Sequence, residues 1–408
     1  MFNNYISISK YLSYLFFLLP LSLVTGPLLS DLIVSTIAIV FIFIIYKEKD
    51  ISYIKDKKVI LFIVFWIYLT IRAFFSTNTL ESLIPSFFYF RFGLFVLATV
   101  YFIKKIPNFE KNFTKFLFFT ILFVSADAYF QIIFGYNFLG FENKVADRVS
   151  GLFGDEYILG SYLVRLCPLL LALIIDKIEF NIKNTISLFL FFCFYNLLVF
   201  YTAERTAFIL NLVFLGLLII IVKKIRFRLL SILLISIIPI FVAIKSDKSL
   251  YERMVLQTYN EVFKDNKIRI FTEGHQNHIK SALKMFKDNK LFGHGVKNYR
   301  VLCREPKYFE KITSCSTHPH NTFSQLLAET GLFGFFFVFS IFVFVCKEIL
   351  MSIIKSFTKE KIDNQKAIIS ILIFINLFPF SPSGSFFNNW LSIVYFLPLG
   401  FYISRFKR

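Results

Sequence analysis

Histidine is scarce in this sequence, and where it is missing matters. There are five in 408 residues, at 275, 278, 294, 318 and 320, and none precedes position 275. Imidazole is the side chain that most readily exchanges protons near neutrality. Acid–base chemistry by histidine is therefore confined to one stretch. Cysteine is equally thin, at five. No histidine pair has the His-x3-His spacing of a helical zinc site, and no Cys or carboxylate stands at ligand spacing from His318 and His320. That argues against a metal centre. Charged residues are only 17% of the chain, and acidic ones number 26 against 45 Lys and Arg. Outside 245–322 there is no polar stretch large enough for a soluble domain.

What is abundant is apolar surface. Hydrophobic residues make up 57%, with 58 phenylalanines, and mean hydropathy is +0.67. Apolar runs of about 18 residues recur from end to end, the length needed to cross a bilayer. We read an all-α, polytopic helical membrane bundle. Its twelve expected spans are 11–27, 29–46, 59–76, 86–103, 116–135, 156–175, 185–201, 206–222, 229–244, 323–346, 367–382 and 386–404. Three regions follow: 1–244 with spans one to nine, a loop over 245–322, and 323–408 with the last three spans. The first apolar segment lacks a small-residue cleavage site, so it is expected to be a retained helix.

The net charge of +19 suggests nucleic acid, but the positions of the charges do not. With the N-terminus inside, cytoplasmic segments hold 24 Lys and Arg, whereas the short external loops hold Lys144, Arg148 and Arg205. That asymmetry sets both termini in the cytoplasm. The loop 245–322 holds 15 more and falls outside, which long segments do regardless of charge. Apolar spacing over Leu250–Phe263 and His275–Phe286 predicts two helices in it, the first lying along the membrane surface. The segment is then a mostly helical periplasmic cap.

All five histidines lie in or at the end of this loop. For His275, His278 and His294 the plainer reading is tolerance or packing in a polar loop. His320 is distinguished by position. Thr317 suits an N-cap and Pro319 a first helical turn, which would make His320 open the tenth span at the water–lipid boundary. An imidazole there can take a proton from a hydroxyl. Gly331 and Gly334 would let another helix approach. Arg205 sits in a very short external turn, where a lipid-linked diphosphate would lie, and guanidinium matches phosphate geometry. The alternative is a snorkelling arginine paired with Glu204. Arg269 is a candidate second phosphate contact, with Arg300 and Arg304 as rivals. Arg72, Arg91 and Arg165 fall near or within spans and need partners, of which Asp127 is one candidate. Cys303 and Cys315, external and close in sequence, are expected to pair in an oxidising compartment.

His320-Asn321, nine residues, then Gly331-x-x-Gly334 resembles the signature of the O-antigen ligase and O-antigen polymerase superfamily of bacterial inner-membrane proteins. Met285–Gly295 is similar to that family's segment ending Pro-Leu-x-Gly-x-Gly, with Lys290 in place of proline. Glu204-Arg205-Thr206 looks like the family's arginine between two spans. The resemblance implies a metal-independent glycosyltransferase without cofactor. It would move a glycan from undecaprenyl diphosphate to an acceptor hydroxyl, lipid A–core or a growing glycan, at the periplasmic face of the inner membrane. His320 would activate the acceptor, Arg205 and Arg269 would hold the diphosphate, and His318 and Asn321 would orient His320 or the sugar. Ligase is favoured over polymerase, with transfer of glycan to protein beside them. A transporter or flippase fits less well, because polar residues gather in one external segment rather than at the midplane of repeated halves.

Overall fold

The computed structural model describes residues 2–53, 55–142, 148–179, 181–264 and 267–405. Lys144 lies outside them. The described chain is helical apart from one small antiparallel hairpin, in which Phe263 pairs with Ile268 and Lys264 with Lys267. Six helices are long and apolar enough to cross a membrane: Pro27–Glu48, Thr79–Lys105, Phe109–Phe134, Ile182–Tyr201, Lys223–Ser246 and Thr322–Phe357. Shorter apolar helices cover Leu159–Ile174, Arg205–Ile221, Asn364–Asn376 and Asn389–Ser404. Each of the twelve expected segments overlaps a helix, the first two falling on Phe2–Phe17 and Pro27–Glu48. Only six of the helices meet the length and hydropathy needed to span unaided.

Local signals explain the helix ends. Asp56, Asn181 and Asn388 each cap the helix that follows, their side chains accepting from Lys58, Asn184 and Trp390 backbone N–H groups. Pro27 opens its helix after Gly26, whose φ of 104° only glycine adopts easily. Aromatic side chains then lock the bundle. The Phe16 ring contacts Phe95, Phe102, Phe109 and Phe113, and Phe65 stacks on Phe337 with centroids 4.1 Å apart. Facing outward are largely exposed apolar residues such as Leu28, Ile39, Phe119 and Ile133. So much apolar surface on the outside of a packed bundle is a membrane protein's surface.

The in-span arginines find partners, and Asp127 is none of them. Arg72 donates to the Phe292 and Gly293 carbonyls, Arg91 pairs with Asp31 at 2.7 Å, and Arg165 donates to Ser161 O at 3.0 Å. Asp127 accepts instead from the Phe138 N–H at 2.8 Å, closing the loop that follows its own helix.

The polar segment lies against one end of the bundle. Lys248–Tyr251, Glu252–Leu256 and Gln257–Val262 form a continuous helical run, followed by the hairpin and by Glu273–Asp288, which Thr272 caps. Its small core joins Ala282, Met285, Tyr299, Leu302, Cys303 and Tyr308 to Ala328 of the next membrane helix.

The start of helix Thr322–Phe357 departs from expectation. Its N-cap is Asn321, whose Oδ1 accepts from the Ser324 N–H at 3.0 Å, and not Thr317. Pro319 therefore precedes the helix, and His320 sits before the cap with a left-handed φ of 52°. Gly331 does not receive a neighbouring helix. It interrupts its own, at φ 58° and ψ −163°. The gap is filled by the loop 290–295: His294 N donates to Ala328 O at 3.0 Å, Gly295 N to Glu329 O at 2.8 Å and Leu332 N to Lys290 O at 2.8 Å. A Cβ on Gly331 would come 2.4 Å from Leu291 O. Gly334 faces its own preceding turn, where a Cβ would meet the Thr330 side chain.

Candidate functional site

Four of the five histidines converge. The His320 ring centroid lies 4.1 Å from that of His318, 5.1 Å from His278 and 5.4 Å from His275. Two come from the first turns of helix Glu273–Asp288 and two from the segment before Thr322. His294 stands apart, its Nε2 3.0 Å from Met285 O and its ring edge-on to Tyr308.

Each ring of the group is tied to the protein through at least one nitrogen. His320 Nε2 is 3.2 Å from Ser316 Oγ. His318 Nδ1 is 2.9 Å from Thr317 Oγ1, and its Nε2 3.2 Å from Ser383 O. His278 Nδ1 lies 3.4 Å from Tyr299 Oη, which also donates to Ser314 O at 2.6 Å. His275 Nδ1 is 3.0 Å from Thr272 Oγ1. Among the described residues no group of three or more His, Cys, Asp or Glu is arranged to hold a metal ion.

A second loop packs against the histidine segment. Ser383 N donates to His320 O at 3.0 Å, and Ser383 Oγ is 3.0 Å from Thr322 Oγ1. Asn321 Nδ2 donates to Pro379 O at 2.8 Å. Gln325 accepts from Phe386 N at 2.9 Å and donates to Glu329, whose other oxygen accepts from Tyr299 N at 3.2 Å. Asn321 is thus a structural tie between helix cap and loop. Cys303 and Cys315 are joined in a disulfide, which closes the strand of chain leading to His318.

Burial, and then the neighbouring His318, His275 and His278, push the His320 imidazole down to about 3. Burial likewise lowers His318, to about 4 despite its bond to Ser383, and lowers His275. Near neutral pH these rings are therefore uncharged.

Beside the imidazoles lies a set of guanidinium groups. Arg205 begins helix Arg205–Ile221 and is held by Glu261, with Nη1–Oε2 at 2.6 Å and Nη2–Oε1 at 3.3 Å. It is not paired with Glu204. That carboxylate caps the neighbouring helix, accepting from Gly160 N at 2.6 Å, Ser161 N and the Ser161 hydroxyl. Arg253 donates to Ala203 O at 2.9 Å, and Arg148 donates to Tyr157 O at 3.1 Å while lying over the Tyr157 ring. Arg148, Arg205 and Arg253 are close enough to act on one another electrostatically, and Arg205 and Glu261 act on His275. His275 is thus the member of the histidine group that Arg205 and Glu261 act on. Arg269 follows the hairpin, partly buried, with its N–H on Val262 O at 2.8 Å. Arg300 faces Glu81 at 3.8 Å.

Residues 187–339 match the family model described as O-antigen ligase. Over that stretch the chain is similar to the O-antigen ligase family. The matched region spans Arg205, Arg253, all four clustered histidines and the Gly331 break. Members of that family are glycosyltransferase-like enzymes that work on lipid-linked glycans, and the apolar helices of this chain indicate a membrane protein. No curated protein matches the chain.

Sequence reasoning missed Arg148, Arg253, His275, His278 and Ser383 as site residues. Arg148 was visible only as a short-loop charge, and Arg253 as one of 15 in the long loop. The run Pro379–Ser385, rich in Pro, Ser and Gly, was the available signal for the second loop.

Proposed function

We propose that the protein is an O-antigen ligase-like glycosyltransferase acting at the periplasmic face of the inner membrane, with both termini in the cytoplasm and the loop 245–322 outside. Its donor is a glycan on undecaprenyl diphosphate and its acceptor a hydroxyl of lipid A–core. What supports this reading is His275, whose ring lies 5.4 Å from that of His320 and which Arg205 acts on electrostatically, all within the matched segment. His320 accepts protons and Arg205 binds phosphate.

The chemistry needs neither metal nor cofactor. With Nε2–H on Ser316, the His320 Nδ1 lone pair takes the acceptor's hydroxyl proton. The acceptor oxygen bonds to the anomeric carbon as that carbon's bond to the diphosphate breaks. The electron pair leaves on the diphosphate oxygen, where Arg205, with Arg148 and Arg253 behind it, offsets the added charge. Glu261 lies in the Arg205 fork, a carboxylate where a phosphate would bind. Burial keeps His320 neutral, and a dianion bound beside it would raise its basicity.

Deleting the gene and resolving the lipopolysaccharide on a gel tests this function. Bare core with long glycan accumulating on the undecaprenyl carrier is expected. Core bearing a single repeat would instead make the protein a polymerase, and unchanged lipopolysaccharide would remove both.

A further inference from the structure

His275 stands where the two halves of the site meet. Its ring lies 5.4 Å from that of His320, and it feels both Arg205 and the Glu261 carboxylate held in the Arg205 fork. Its backbone is fixed by the Thr272 cap, and its turn by Gln276 Nε2 donating to Phe271 O at 2.9 Å and Asn277 Nδ2 to Thr313 Oγ1 at 3.0 Å. Only Nδ1 is used by the cap, 3.0 Å from Thr272 Oγ1. That hydroxyl already accepts the His275 N–H, so its own proton can go to Nδ1. The ring proton is then on Nε2, the nitrogen left for the pocket. The electrostatic reach of Glu261 and Arg205 places His275 near the anion-binding pair as well as next to His320.

We propose that His275 is a further substrate-binding residue, whose Nε2–H donates a hydrogen bond to the diphosphate of the lipid-linked donor. This role rests on the function proposed above. When the diphosphate displaces Glu261 from Arg205, its oxygens take the place of the carboxylate beside His275. Arg205 supplies charge and His275 a directional neutral donor. In the transfer step the acceptor's proton goes to His320, and the carbon–oxygen bond to the diphosphate breaks with its electrons on oxygen. The His275 proton stays on Nε2 throughout. As charge builds on the departing oxygen this bond strengthens, so His275 aids departure as well as binding. The same placement orders the site, with acceptor at His320, donor phosphate at Arg205 and His275 spanning the boundary.

The test uses the full-length protein in nanodiscs, with undecaprenyl diphosphate as the probe and Arg205→Ala, His275→Ala and His275→Gln as variants. The glutamine amide keeps an N–H donor at similar reach. Wild type should bind the probe. His275→Ala should bind about tenfold more weakly, and His275→Gln within about threefold of wild type. If Arg205→Ala loses binding while His275→Ala keeps it, His275 has no such role and the diphosphate reading survives. Equal losses in His275→Ala and His275→Gln would make the residue a packing element and overturn the role. Absence of binding by wild type, or full binding by Arg205→Ala, would remove the diphosphate reading and His275's part together.

Discussion

Arg205 and Glu261 meet through both guanidinium nitrogens and both carboxylate oxygens, at 2.6 Å and 3.3 Å. The pair links the start of a bundle helix to the surface helix Gln257–Val262. Glu261 is therefore a resident competitor for the anion site. Glu261→Gln should weaken that competition and lower the donor KM by about threefold to tenfold, with kcat little changed. Steady-state transfer at varied donor concentration reads this. A raised KM would show that Glu261 supports donor binding.

His320→Ala should reduce transfer by about a hundredfold to ten-thousandfold with normal amounts of protein in the membrane. Ser316→Ala removes only the partner at 3.2 Å and should cost about twofold to tenfold. Radiolabelled glycan transfer in isolated membranes compares them. Full activity in His320→Ala would take the residue out of the mechanism.

The pH dependence follows from the lowered histidines. His320 lies near 3 and His318 near 4, against an ordinary 6.5. For the empty enzyme, kcat/KM should stay flat from about pH 8 to about pH 5, because the reactive neutral ring persists. A midpoint near 6.5 would point to an ordinary exposed histidine as the base. Stability has its own sign. Unfolded histidines take up protons that the folded ones refuse, so stability is full above about 6.5 and falls as pH drops towards about 4. The thermal midpoint should fall with acid more steeply in wild type than in His318→Gln.

Gly331→Ala tests the interrupted helix. A side chain at φ 58° is strained, and its Cβ would press on Leu291 O. A loss of about 1–3 kcal/mol is expected, with faster exchange at His294 and Gly295, whose amides bridge to Ala328 and Glu329. Hydrogen exchange and thermal unfolding measure both effects. An unchanged variant would mean the loop can move aside.

Much of the helical layout was legible because bilayer-length apolar runs need no tertiary information. His320 and Arg205 stood out as candidates because each lies at a junction between polar and apolar sequence. The convergence of His275 and His278 on His320 was not, since more than 40 intervening residues must fold back to bring the rings together. The cap at Thr322 was misjudged for a local reason. Thr317, Pro319 and Asn321 all carry start signals, and the bond from Asn321 to Pro379 O decides among them through a loop distant in sequence. Gly331 misled similarly, because a glycine that admits a helix and one that admits a loop read alike.

The small core of the polar segment has a consequence for how this protein can be taken apart. Ala328 completes it, and the amides of His294 and Gly295 find their acceptors on the membrane helix rather than within the segment. Cut free at its ends, 245–322 would leave those amides unsatisfied and one wall of its core open. The four imidazoles would be separated from Arg148 and Arg205. A secreted fragment should therefore behave as an unfolded, catalytically silent peptide. Inhibitor discovery against this site has to start from the whole membrane-embedded chain.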